Sequence, residues 1–206
     1  MPTELSIPPK PRSAVRETHL ICLPELTWQR RLIRKGLCWL SRLLIYLCTR
    51  SKVTGLENLY KEGPALLVTN HLGDTDLVLG FAFVPVTVDF VAKIELHELP
   101  ILGTLLQAYG VIWVRRGQPD RQALRAIFQG LKEGRKVGIA PEGRESQTGT
   151  LEEGTGGAAY LALKADVPVI PVTITGTENQ RIFGNLKRLR RTAVTLTFGS
   201  PFRLEP

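Results

Sequence analysis

Cysteine is scarce in this sequence, and none of it is arranged for structural work. Cys22, Cys38 and Cys48 are the only three, all precede residue 53, and none forms a C-x-x-C pair. That excludes a zinc ribbon or a disulfide framework and fits a reducing, cytosolic setting. Long hydrophobic runs are also missing. A membrane-spanning helix needs about 20 mainly apolar residues. The longest uncharged run, Leu99 to Val114, is shorter and is interrupted by Pro100, Gly103, Gln107 and Gly110. The opening MPTELSIPPKPRS lacks the apolar stretch of a secretory signal. Several catalytic signatures are absent as well. There is no G-x-S-x-G elbow, no H-E-x-x-H or other close histidine pair to hold a metal, and no G-x-x-x-x-G-K-[ST] loop, so the glycine-rich stretch Gly149–Gly157 is not a nucleotide cradle.

What is present suits one domain with an appendage: 206 residues, 43% hydrophobic and 22% charged. The net charge of +8 is unevenly placed. Residues 1–52 carry 10 Lys and Arg against 3 Asp and Glu, whereas residues 53–206 carry 17 against 16. This is a neutral domain with a basic arm and not a nucleic-acid binder. Residues 1–27, with Pro2, Pro8, Pro9, Pro11 and Pro24, read as a loose segment. Residues 28–52 read as a basic amphipathic helix. Ile33, Leu37, Leu40, Leu44 and Leu47 recur at helical spacing, Arg30, Arg31, Arg34, Lys35 and Arg42 supply charge, and no acid interrupts them. Such a helix is expected to lie in the interface of an anionic bilayer; the alternative is a helix packed on the domain with a basic outer face.

From residue 53 to 206 the pattern becomes α/β. Apolar strand-like runs occur at Ala65–Thr69, Val86–Val91, Val111–Val114, Val137–Ala140, Val169–Ile174 and Val194–Phe198, with helical patterns at Pro119–Glu133 and Gly156–Lys164. The alternation predicts a mostly parallel central sheet flanked by helices. Ligands of such sheets gather beyond the carboxyl ends of strands. Three polar segments fall there: Asn70 to Asp76 after ALLVT, Arg115-Arg116 after VIWV, and Pro141 to Ser146 after VGIA. Lys93 and Glu95 after FVA form a fourth candidate. His71 can act as a base near neutral pH, and Asp76, five residues on, can orient its ring; Asp74 is either part of that turn or a helix cap. A base with no resident nucleophile points to a substrate hydroxyl, or water, as the attacking group.

Taken together these blocks resemble the glycerophospholipid acyltransferase family, typified by 1-acyl-sn-glycerol-3-phosphate acyltransferase. The resemblance covers about residues 53–178, with the motifs inside 65–178. The family's N-H-x-x-x-x-D matches Asn70, His71 and Asp76. Its G-x-[IL]-[FWL]-[IV]-x-R matches Gly110, Ile112, Trp113, Val114 and Arg116. Its P-E-G-T-R-S matches Pro141, Glu142, Gly143 and Ser146, and its V-P-[VI]-[IV]-P-V matches Val167 to Val172. Four blocks in order are a strong signal where each alone is weak. One departure stands out. The third block reads P-E-G-R-E-S, so Arg144 takes the usual threonine place and Glu145 the usual arginine place. Glu152 and Glu153 also stand where the family often has an aromatic and a basic residue.

The resemblance implies a glycerol-3-phosphate acyltransferase-like fold and an O-acyltransferase with His71 and Asp76 as its catalytic pair. Asn70, Arg116, Glu142, Gly143, Arg144 and, through the lysine that precedes the second block, Lys93 would bind substrate. The donor would be acyl-CoA or acyl-carrier protein, with no metal and no further cofactor. Lysophosphatidic acid would be the acceptor and phosphatidic acid the product, in phospholipid biosynthesis. The alternatives are another lysolipid or aminolipid acceptor, or a thioester or lipid hydrolase. The implied setting is the cytoplasmic face of the membrane, with membrane lipids and an anionic bilayer surface as partners.

Overall fold

The computed structural model describes residues 12–15, 17–60, 62–85 and 87–205. Its seven strands are β1 (Thr49–Thr54), β2 (Ala65–Thr69), β3 (Val88–Lys93), β4 (Ile112–Val114), β5 (Lys136–Ile139), β6 (Val169–Thr175) and β7 (Thr192–Phe198). They form one sheet in the order β1-β7-β6-β2-β5-β3-β4. The five strands from β6 to β4 are mutually parallel, whereas β7 runs antiparallel to β6 and β1 follows β7. The sheet is the mostly parallel one that the apolar runs predict. Strand β2 shows why. Ala65 and Leu67 face one core and Leu66 the other, so successive side chains are buried on both faces.

Helices cover those faces. On one side lie α1 (Trp28–Cys48), α2 (Leu56–Leu59), α3 (Thr75–Phe83) and α7 (Asn179–Lys187), contributing Ile45, Leu59, Leu79, Ala82 and Ile182. On the other lie α5 (Arg121–Lys132) and α6 (Gly157–Ala165), contributing Ala126, Ile127, Leu131, Leu161 and Ala162. Helix α4 (Pro100–Tyr109) closes a third cluster around Trp113. No helix among the described residues is long and apolar enough to cross a membrane.

Element by element, the structure differs from its sequence reading in three ways here. First, residues 49–54 form an edge strand, so the boundary drawn at 52/53 falls inside β1. Its sequence TRSKVT is polar because the edge leaves most of its side chains in solvent, and no hydrophobic alternation announces it. Second, residues 1–11 and 16 of the expected loose segment lie outside the described residues, but its remainder is fastened to the domain. Ile21 is buried beside Trp113, the Ser13 N–H donates to the Arg116 carbonyl at 3.0 Å, and Gln122 Nε2 donates to the Thr18 carbonyl at 2.8 Å. Third, the strand expected over Val86–Val91 runs Val88–Lys93, Val86 itself lying outside the described residues.

Helix α1 forms where predicted and starts where Thr27 Oγ1 accepts the Arg30 N–H. Its orientation is the finding. The stripe turned inward is Arg34, Cys38, Ser41, Ile45 and Cys48, one residue out of step with the apolar stripe Ile33, Leu37, Leu40, Leu44 and Leu47. Small and polar side chains let α1 approach α3 closely. Arg42 Nε and Cys38 Sγ both donate to the Ala82 carbonyl, at 2.7 and 3.7 Å. Ile33, Leu40, Leu44 and Leu47 are left exposed, and Trp28, Trp39 and Tyr46 are each 68% exposed.

Arg34, read from sequence as part of the basic surface, is instead fully buried. Its Nη2 lies 2.6 Å from Asp89 Oδ1 and 3.0 Å from the Gly110 carbonyl, its Nε donates to the Tyr109 carbonyl at 2.9 Å, and its guanidinium stacks 4.4 Å from the Tyr109 ring centre. A buried guanidinium requires this saturation, since an unpaired charge in the interior is strongly unfavourable.

Candidate active site

The carboxyl ends of β2, β5, β3 and β4 meet along one edge of the sheet, and the predicted residues converge there. Strand β2 stops at Thr69, and the next residue, Asn70, locks the turn to β6. Its Nδ2 donates to the Ile174 carbonyl at 2.9 Å and its Oδ1 accepts the Ile174 N–H at 2.8 Å. Asn70, expected to bind substrate, has both ends of its amide engaged by the backbone of Ile174.

His71 is half-buried, with its Nδ1 2.8 Å from Asp76 Oδ2. Asp76 lies in the first turn of α3 and is buried, and its Oδ2 also accepts the Leu72 and Gly73 N–H groups at 2.7 and 3.1 Å. A carboxylate so held fixes the imidazole with its proton on Nδ1 and Nε2 open toward solvent, the tautomer a general base requires. Gly73 is required by close approach, because a Cβ there would come within 2.6 Å of both Asn179 Oδ1 and the Thr177 carbonyl.

The turn after β5 wraps around this loop. Glu142 is fully buried and acts as a brace, not as an open substrate ligand. Its Oε1 accepts the His71 N–H at 3.3 Å and its Oε2 the Glu152 N–H at 3.1 Å. Gly143 adopts φ +70°, the left-handed conformation that glycine tolerates best, and its carbonyl accepts Arg116 Nη1 at 3.1 Å. The Ser146 N–H closes the turn on the His71 carbonyl at 2.7 Å.

The arginines divide by role. Arg115 is bound to Asp120 through Nε at 3.1 Å and Nη2 at 3.3 Å. Asp120 in turn caps α5 by accepting the Gln122 and Ala123 N–H groups. Arg116 is half-buried, and beyond its bond to Gly143 its Nε has no partner among the described residues. Lys93 ends β3 opposite Val114, half-exposed and beside these arginines, with no ion pair among the described residues. Arg144 is buried and turned away from an open-site role. Its Nε and Nη2 lie 3.1 and 3.0 Å from Glu152 Oε2. The Gln147 N–H, with Arg144, holds the Glu152 carboxyl below its usual range against the opposing effect of burial.

Two residues of this site had no signal in the sequence reading. Asn179, at the start of α7, donates from Nδ2 to Glu145 Oε2 and to Asp74 Oδ2, each at 3.2 Å, and its Oδ1 accepts the Asp74 N–H at 3.0 Å. Glu152 was noted only as a departure from a pattern. Neither sits in a motif; Asn179 acts across 34 and 105 positions, and Glu152 acts within ten, through the fold of the turn.

The Arg115–Asp120 pair makes one stability prediction. Burial works against the Asp120 charge, but the Arg115 guanidinium and the N–H groups of Arg115 and Ala123 outweigh it and depress its pKa. A depressed carboxylate stabilises the fold above its unfolded pKa, about 3.9, and loses that contribution as pH falls through the lower folded value. Asp120→Asn is therefore expected to destabilise by about 1 kcal/mol at pH 7. Melting curves against pH should show the gap from wild type narrowing as pH falls below about 3.9.

A mostly parallel α/β sheet thus carries a histidine–aspartate pair at the end of a central strand, with an arginine and a P-E-G turn beside it. The sequence model of the acyltransferase family matches residues 50–175, and the chain belongs to that family. It is 34% identical over 146 residues to the chloroplastic 1-acyl-sn-glycerol-3-phosphate acyltransferase of Arabidopsis thaliana, covering 68% of this chain and 39% of that protein. It is 33% identical over 138 residues to the lyso-ornithine lipid O-acyltransferase of Pseudomonas aeruginosa, covering 66% and 52%. The fold is similar to the crystal structure of the 1-acyl-sn-glycerophosphate acyltransferase PlsC from Thermotoga maritima, with a TM-score of 0.65, 25% identity, and coverage of 84% of this chain and 70% of that one. The chain thus spans about half the length, or less, of these two curated relatives.

Proposed function

We propose that the protein transfers an acyl group from a thioester to the free hydroxyl of a lysolipid at a membrane surface. The observation that carries this reading is the His71–Asp76 pair, 2.8 Å apart and braced by backbone from both neighbouring turns. His71 Nε2 removes the acceptor's hydroxyl proton. The oxygen attacks the thioester carbonyl, the tetrahedral intermediate collapses, and the departing thiolate takes the proton from the imidazolium. Arg116, half-buried and without an ion pair among the described residues, holds the anionic part of the acceptor headgroup through the part of its guanidinium left open. Acyl-CoA or acyl-carrier protein serves as donor, which sets the reaction on the cytoplasmic face. Lysophosphatidic acid, giving phosphatidic acid, and a lyso-aminolipid are the acceptors to compare, since relatives of this chain are named for each chemistry.

The test is thiol release from acyl-CoA, with and without lysolipid in mixed vesicles. Release that depends on acceptor supports acyl transfer. Equal release without acceptor identifies a hydrolase.

The outward stripe of α1 supports the membrane setting. Ile33, Leu40, Leu44 and Leu47 are exposed beside Trp39 and Tyr46, and Arg191, in the basic stretch before β7, lies over the Tyr46 ring at 5.0 Å. Apolar side chains entering the acyl boundary contribute about 1.5–3 kcal/mol each when fully buried. Leu40→Asp with Leu44→Asp is expected to lower binding to anionic vesicles at least tenfold in sedimentation, with the fold intact because neither side chain is in the core. Removing residues 1–52 is not an equivalent test, since it deletes Arg34 and four of the six residues of β1.

A further inference from the structure

We infer that the acceptor headgroup is zwitterionic, its anionic group held by Arg116 and its ammonium by Glu145. This rests on the acyl-transfer reading above and specifies the acceptor for it. The turn from Glu142 to Ser146 sets opposite charges close to the base. At one end the Gly143 carbonyl accepts Arg116 Nη1, leaving Arg116 Nε buried and without a partner among the described residues. At the other the Ser146 N–H is bonded to the His71 carbonyl. Glu145 is the residue before Ser146. It is half-exposed, is held by Asn179 Nδ2 at 3.2 Å, and makes no ion pair among the described residues.

The other cation of the turn does not alter this balance. Arg144 is buried against Glu152, and Glu152 is held in place by the Gln147 N–H at 2.6 Å and Ser146 Oγ at 3.4 Å. The charges at this end of the sheet that make no ion pair among the described residues are therefore Arg116 and Lys93 on one side and Glu145 and Asp74, both held by Asn179, on the other. A phosphate monoester brings about −1.5 to −2 charges at pH 7 and no cation. It would satisfy Arg116 and be repelled by Glu145. A headgroup with one anionic group and one ammonium satisfies both. Asn179 is the positioning residue: its amide aims Glu145 and ties it to the loop that carries His71 through Asp74. Like-charge juxtaposition is the usual way such a site rejects the wrong ligand.

Four acceptors in mixed vesicles separate the possibilities, with kcat/KM measured for each. Lyso-ornithine lipid carries a carboxylate and an ammonium, lysophosphatidylethanolamine a phosphodiester and an ammonium, lysophosphatidylglycerol a phosphodiester alone, and lysophosphatidic acid a phosphate monoester. Wild type is expected to prefer one of the two ammonium-bearing acceptors over both others by about tenfold or more. Which of the two it prefers identifies the anion on Arg116. Glu145→Gln should raise KM for the preferred acceptor about tenfold with kcat little changed, and should raise kcat/KM for lysophosphatidic acid. Asn179→Ala should shift the same ratio in the same direction by a smaller factor. A wild-type preference for lysophosphatidic acid, or an acceptor ratio unmoved by Glu145→Gln in a variant of unchanged melting temperature, overturns the inference. That outcome leaves acyl transfer standing. Turnover of none of the four, with thiol release insensitive to acceptor, would instead remove the acyl-transfer reading itself.

Discussion

His71→Ala is expected to lower acceptor-dependent acyl transfer by about 10²–10⁴-fold, in kcat more than in the acceptor KM. The argument is geometric. Among the described residues no other histidine is paired with a carboxylate; His97, just past the end of β3, packs edge-on against Trp113, its ring centre 5.6 Å away. Without the imidazole the hydroxyl must attack the thioester as a neutral alcohol, and no neighbouring group replaces the base. Glu142 is committed to two backbone N–H groups, and Asp76 is held beneath the ring by Leu72 and Gly73. Asp76→Asn should cost less than His71→Ala but still at least tenfold. An amide in that place cannot stabilise the imidazolium and can present its N–H to Nδ1, reversing the tautomer. Steady-state kinetics on purified protein, with circular dichroism to verify folding, separate this from instability. A His71→Ala variant with more than a tenth of wild-type kcat would remove His71 from the mechanism.

The largest stability effect is expected at Arg34. Arg34→Ala leaves Asp89 ionised in the interior with only the longer contact to Arg135, at 3.4 Å, in compensation. Losing one partner of a buried ion pair costs about 3–5 kcal/mol. At about 2–4 °C per kcal/mol for a domain of this size, the melting temperature should fall by roughly 6–20 °C. The same change frees the Tyr109 and Gly110 carbonyls and detaches the middle of α1 from the sheet, so vesicle binding and stability should be lost together. Arg34→Met with Asp89→Leu removes both charges and should recover part of the loss, because desolvation then no longer opposes burial. A melting temperature for Arg34→Ala within 2 °C of wild type would mean that water reaches Asp89 and the pair is not what fastens the helix.

The expected deletion phenotype of the basic arm changes for the same reason. Read along the chain, Arg34 is one of the five cations of the acid-free α1, indistinguishable from Arg30 or Lys35. In three dimensions it is the anchor of that segment, and the outward stripe of leucines exists because the inward stripe does the packing. A helical wheel separates apolar from charged positions but cannot say which side meets protein. Here the domain takes the stripe with small and hydrogen-bonding side chains, and the apolar side is left for another medium.

The sequence by itself determined the sheet and the chemical centre. Strands buried on both faces must be nearly continuous apolar runs, and β2 and β6 are such runs. His71 and Asp76 lie within one turn of each other, so a local spacing suffices to encode their contact. The tertiary structure alone decided which charges are free. Arg34 meets Asp89 across 55 positions, Glu145 meets Asn179 across 34, and Asp74 meets Asn179 across 105. Arg144 and Glu152, only eight apart, needed the turn's conformation to bring them together. A charge's role follows from its partner and its burial, and at such separations both are set by how the strands are ordered in the sheet and not by any pattern along the chain.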